Sequence, residues 1–160
     1  MLTEEQLTKA TLEHFEAEAQ LDVDWVCDTV TEHAEYEVVA PFYADDPLRK
    51  GVSTEGRDAV RVLWQGALQR FARYEIHCGK DDLLIFPERN TVFAQVRISV
   101  TPMEEFEGFP AGKAISYKVG ALCLFDDHGK LTRETVYGSM PTVLLGLRRM
   151  RDFISADATA

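Results

Sequence analysis

The chain has 160 residues, 46% of them hydrophobic and 28% charged, which is the composition of an ordinary single-domain globular protein with enough chain to bury a core unaided. A formal net charge of −10 disfavours binding to nucleic-acid phosphates or to an anionic membrane surface. No run of about 20 apolar residues occurs, and the acidic, amphipathic N-terminus lacks the basic start and apolar block of a signal peptide.

Thr3-Glu4-Glu5-Gln6 fits a capping box and opens a helix expected to reach Gln20, with Leu12, Phe15 and Ala19 inward and His14 beside them. Asp22 caps a second helix, in which Val23, Val26, Cys27 and Val30 form a stripe; the short join predicts a hairpin of helices. After Glu32 the period changes to two. Tyr36, Val38 and Ala40 alternate with Glu35 and Glu37 as a short strand. Pro41 to Glu55 reads as a surface loop, and Gly56 to Phe71 as the clearest helix, with Val60, Leu63, Trp64, Ala67, Leu68 and Phe71 on one face.

From Tyr74 the pattern is of strands. Tyr74 to Lys80 and Leu83 to Phe86 are short. Thr91 to Thr101 alternates, with Val92, Ala94, Val96, Ile98 and Val100 on one face. Ala114 to Phe125 and Leu131 to Tyr137 form a long hairpin about the Asp126-Asp127-His128-Gly129-Lys130 turn. Val143, Leu144, Leu147 and Met150, flanked by arginines, suggest a closing helix, and residues 155–160 a flexible tail after one domain spanning 1–154. Helices on one side of a curved antiparallel or mixed sheet make an α+β cone around a pocket for a small hydrophobic ligand. Cys27, Cys78 and Cys123 have neither disulfide nor zinc spacing and read as reduced thiols of a cytoplasmic protein.

Three stretches carry a likeness. Gly56-Arg57-Asp58-Ala59-Val60, the Glu105 to Lys113 loop, and Gly129 to Glu134 followed by Val136-Tyr137 resemble, in order and spacing, the motifs of the SnoaL-like branch of the NTF2-like superfamily, which includes polyketide cyclases, ketosteroid isomerases and limonene-epoxide hydrolases. The resemblance spans about Glu4 to Leu147. It implies the cone fold, a cavity, pairing of two copies through the sheet, and proton-transfer chemistry without a cofactor: isomerisation, cyclisation, dehydration or hydrolysis of a hydrophobic carbonyl or polyketide-like substrate. The cyclases' His and Asp fall at Pro102 and near Ala121, and the last-strand Asp of the epoxide hydrolases falls at Val136. The named reactions are therefore not carried over. A non-catalytic ligand-binding or assembly module is the alternative, with a partner subunit of a larger enzyme behind it.

The candidate catalytic groups are Glu134, whose strand parity points it inward, and His33 near the cavity mouth. Tyr36 and Arg97 are candidates to hold an oxyanion. Trp64, Tyr117 and Tyr137 are candidate pocket walls. A salt bridge from Glu134 to Arg97 or Arg133 is the structural alternative for that carboxylate. No HxH or ExxH pair is present, so no metal is expected.

Overall fold

A computed structural model describes residues 1–39, 52–105 and 109–138. Among these, three helices pack on a seven-stranded mixed sheet: α1 (Glu4–Ala19), α2 (Val23–Thr29), β1 (Val30–Val39), β2 (Val52–Glu55), α3 (Arg57–Arg70), β3 (Phe71–His77), β4 (Leu83–Phe86), β5 (Thr91–Pro102), β6 (Ile115–Phe125) and β7 (Leu131–Tyr137). The strand order is β2-β1-β7-β6-β5-β3, with β4 also paired to β5; β1 and β7 are parallel and the other pairs antiparallel. The sheet is curved, and α1 and α3 lie across its concave side. The expected closing helix, the tail, and the loop from Pro41 to Gly51 lie outside the described residues.

Both helix starts form as their caps dictate. Thr3 Oγ1 accepts from the Gln6 amide at 3.2 Å while Gln6 Oε1 accepts from the Thr3 amide at 2.8 Å. Asp22 Oδ1 accepts from the Trp25 amide at 3.0 Å. The inner face of α1 differs from the expectation. Leu7, Thr11, His14, Phe15 and Glu18 are buried, whereas Leu12 and Ala19 are half-buried. Helical spacing holds, but the inward stripe contains polar residues, so hydrophobicity alone indicates a face turned away from the true one.

Two boundaries also move. α2 stops at Thr29, whose hydroxyl donates to the Val26 carbonyl at 2.7 Å, and Val30 already pairs with Leu131 in the sheet. Residues 52–55, read as loop, form a short strand against β1, with Tyr36 opposite Thr54. In α3, Val60 and Trp64 are buried, while Leu63 and Leu68 are 39% and 41% exposed. Phe71 starts β3 instead of ending the helix.

The long ribbon forms where it was expected. Val92, Ala94, Val96, Ile98 and Val100 of β5 are buried, facing Ile115, Tyr117, Val119, Ala121 and Cys123 of β6 in strict register. Cys27 and Cys123 are buried, Cys78 is half-buried, and all three are free. The β6–β7 turn is tied by Asp126 Oδ1, which accepts from the amides of His128 at 2.9 Å and Lys130 at 2.8 Å. Gly129 sits there at φ +80°, a conformation that crowds any Cβ. Gly129→Ala is therefore expected to lower stability by about 1–2 kcal/mol in urea unfolding, with no change of fold. An unchanged midpoint would contradict the strained-turn account.

Candidate active site

Between α1, α3 and the concave sheet lies a cavity of about 540 Å³. That is the size of a small-molecule site. Its walls are mostly apolar, with Phe15 from α1, Leu63 and Ala67 from α3, Ile76 from β3, Val96 and Ile98 from β5, and Val119 and Ala121 from β6. Two carboxylates, Glu18 and Glu134, also line it, beside the Tyr36 ring.

The three polar residues arrive from three elements. Tyr36 of β1 is the parallel register partner of Glu134 on β7, and Glu134 pairs across β6 with Cys123. Side-chain alternation along β7 turns Glu134 inward and Arg133 outward, where its Nε donates to Glu35 at 2.6 Å. Glu18 comes from α1, one turn after His14, so both face the sheet.

His14 joins them and is 1% exposed. The Thr29 hydroxyl already donates to the Val26 carbonyl, so at 2.6 Å it must accept from His14, which places a proton on Nδ1. The other nitrogen, Nε2, is 2.8 Å from the Tyr36 hydroxyl, 3.1 Å from Glu18 Oε1 and 3.6 Å from Glu134 Oε2. The Tyr36 hydroxyl donates in turn to Glu18 Oε1 at 3.3 Å. Burial alone pulls the His14 pKa down, but the negative charge of Glu18 and the close approach of both carboxylates together raise it to about 10. The imidazole is therefore a cation at neutral pH. Burial, then the like charge of Glu134, pushes Glu18 up to about 7 against the opposing pull of His14. Burial and the same two carboxylates raise the Tyr36 phenol, which keeps its proton as a donor.

The sequence candidates separate into two groups. Glu134, Tyr36, Trp64 and Tyr117 line the cavity. The Trp64 Nε1 is buried with no hydrogen-bond partner among the described residues, and its ring meets Tyr74 edge-on with centroids 5.6 Å apart. His33 is exposed on β1, where the register with β7 shifts, and is not among the cavity-lining residues. Arg97 is exposed on the outer sheet face, opposite Lys118 and His77 in register, and Tyr137 is 48% exposed. Glu134 forms no salt bridge with Arg97 or Arg133; its ion-pair partner is His14. His14 and Glu18 were not singled out from the sequence. The signal was present as an HxxxE spacing in a predicted helix. The ligand atoms of His14, Glu18 and Glu134 lie within 4.8 Å of one another, the convergence a divalent cation requires. Such a cation would have to displace the Nε2 proton that the two carboxylates hold.

Neither a family model nor a curated protein matches the chain. Solved structures do. A candidate polyketide cyclase from Xanthomonas campestris superposes with a TM-score of 0.70 at 18% identity, over 88% of this chain and 96% of that one. SalBIII, an epoxide hydrolase/cyclase-like enzyme of pyran ring formation in the polyether salinomycin, gives 0.69 at 21% identity over 89% and 97%. An epoxide hydrolase of the limonene-epoxide-hydrolase-like type from Mycobacterium tuberculosis gives 0.65 at 15% identity over 97% of both chains. The chain shares the NTF2-like cone fold of these structures. Among the described residues no helix is long and apolar enough to cross a membrane.

The buried cluster sets a pH dependence. Glu18 and His14 both have folded pKa values above their ordinary values of 4.5 and 6.5. The folded state thus holds more protons than the unfolded chain. The stability contributed is complete below pH 4.5 for Glu18 and below 6.5 for His14, and it is lost as pH rises through about 7 and about 10 respectively. In urea titrations the difference between wild type and Glu18→Gln is expected to change over the lower window, and that for His14→Gln over the upper. Differences that do not vary with pH would refute the charged cluster.

Proposed function

We propose that the chain is an acid–base enzyme acting on an apolar, oxygen-bearing small molecule held in this cavity. The observation that carries the reading is that two buried carboxylates, Glu18 and Glu134, line one apolar chamber and share a single imidazolium behind them. Two carboxyl groups facing one apolar chamber supply an acid and a base for proton transfer.

In the reaction this geometry supports, Glu134 takes a proton from an attacking hydroxyl, from water or from the substrate itself. A C–O bond forms as another C–O bond breaks. Glu18, held near neutrality in its affinity, donates a proton to the departing oxygen. His14 stays protonated and holds both carboxylates in place, while Tyr36 orients Glu18. Once the product leaves, proton exchange with solvent restores the resting pair. The product is an isomer if the nucleophile is internal and a hydrate if it is water. The neighbouring structures are a candidate polyketide cyclase, an epoxide hydrolase/cyclase-like enzyme and an epoxide hydrolase of the limonene-epoxide-hydrolase-like type, and this supports ring closure or hydrolysis as the reaction class. On a turned-over epoxide or polyketide-like substrate, Glu134→Gln and Glu18→Gln are each expected to lower kcat/KM by about 10²–10⁴-fold, whereas His33→Ala stays within about twofold. Full activity in Glu134→Gln would remove the assignment.

The reading includes a second copy of the chain against the outer sheet face. Leu84, 61% exposed, lies in register with Phe93, and Phe93 with Leu122, forming an apolar row across β4, β5 and β6. Asp81, Asp82 and Lys118 border the groove beside it, so its rim carries charges of both signs. Light scattering is expected to show a dimer that Leu84→Asp converts to monomer; a monomeric wild type would exclude it.

A further inference from the structure

The Glu134 carboxylate is 4% exposed, yet its one polar partner among the described residues is the His14 imidazole, 3.6 Å away and beyond normal hydrogen-bond length. A buried carboxylate with so little donation is costly unless something else supplies a partner. The remaining side of Glu134 opens into the cavity. With both carboxylates ionised, the cluster has two negative charges against one imidazolium. Among the described lining residues only Arg70 carries positive charge, and its side chain is exposed. Six aromatic residues, Phe15, Tyr36, Trp64, Phe71, Tyr74 and Tyr117, line the same chamber, and ring faces attract cations.

We infer that the cavity floor beside Glu134 is a binding point for an organic cation, a protonated amine on an apolar body. This deepens the acid–base reading by naming the charge that the substrate, or its transition state, brings to Glu134. An ammonium fits better than a metal ion, because it donates hydrogen bonds to the carboxylates without evicting the proton on His14 Nε2. It occupies the cavity side of Glu134, while His14 holds the opposite side. The same electrostatics favour a transition state that gathers positive charge there, such as the opening of a protonated epoxide, over one that gathers negative charge. Anionic substrates are excluded.

Calorimetric titration of three compounds of one shape, cyclohexylmethylamine, cyclohexylmethanol and cyclohexanecarboxylate, at pH 8.5 tests this. The pH lies above the range in which Glu18 takes up its proton. The amine is expected to bind at least tenfold more tightly than the alcohol, and the carboxylate not at all. Glu134→Gln is expected to bring the amine down to the alcohol's affinity in the same variant. Glu18→Gln, expected to weaken the amine's advantage, provides a second variant should Glu134→Gln fold poorly. Added salt should leave the preference in place, which separates the cavity from attraction to the acidic surface. Equal affinity for amine and alcohol, binding of the carboxylate, no binding of any of the three, or an amine preference that survives Glu134→Gln would each overturn the inference. The acid–base reading is judged separately, by turnover in the carboxylate variants.

Discussion

Everything at the centre of this molecule depends on one buried, protonated histidine placed between two carboxylates. An isolated carboxylate at the depth of Glu18 or Glu134 would be driven to protonate, and an isolated imidazole at the depth of His14 would lose its charge. Together they sustain one another. The Thr29 hydroxyl, committed as a donor to the end of α2, forces the His14 ring into one orientation and directs Nε2 at both acids. The arrangement also acts as a tether, since the three charged groups come from α1 and β7, elements far apart in the chain.

That tether bears on the shape of the chamber. α1 cannot rotate about its axis without withdrawing His14 and Glu18 from Glu134 and Tyr36 and exposing unpaired charge to an apolar wall. Breaking such a buried arrangement by removing one partner is expensive, even where its net contribution to stability is small. The helix face that looks wrong by hydrophobicity is thus fixed by electrostatics. The cavity beside it is bounded by β-strand residues whose alternation places every second side chain inward. Polar chemistry sits at one place in an otherwise apolar enclosure, where the low polarity strengthens each charge interaction.

The cone supplies the enclosure and leaves the chemistry open. Structures at 12–21% identity share the architecture, and the roles of acid and base have to be read from the side chains of this chain. The positions where the family resemblance led one to look, Pro102, Ala121 and Val136, carry no acid or base. The carboxylates come instead from α1 and from Glu134, two residues before Val136. Both carboxylates lie away from those positions and face the cavity.

What the sequence by itself determined were the features governed by local rules. The capping box at Thr3, the Asp22 cap, the turn at Gly129, both ends of β7 and the inward parity of Glu134 all follow from interactions between residues a few positions apart, or from the period of two along a strand. Tertiary structure alone decided the partners. His14 and Glu18 were visible as residues one turn apart, but nothing local shows that this polar edge, and not Leu12 and Ala19, turns toward the sheet. That choice rests on charges delivered from β7 and a hydroxyl from β1. Likewise His33, Arg97 and Tyr137 have suitable chemistry in their side chains, and their placement away from the chamber follows from register and sheet curvature, which are set by pairings between strands distant in sequence.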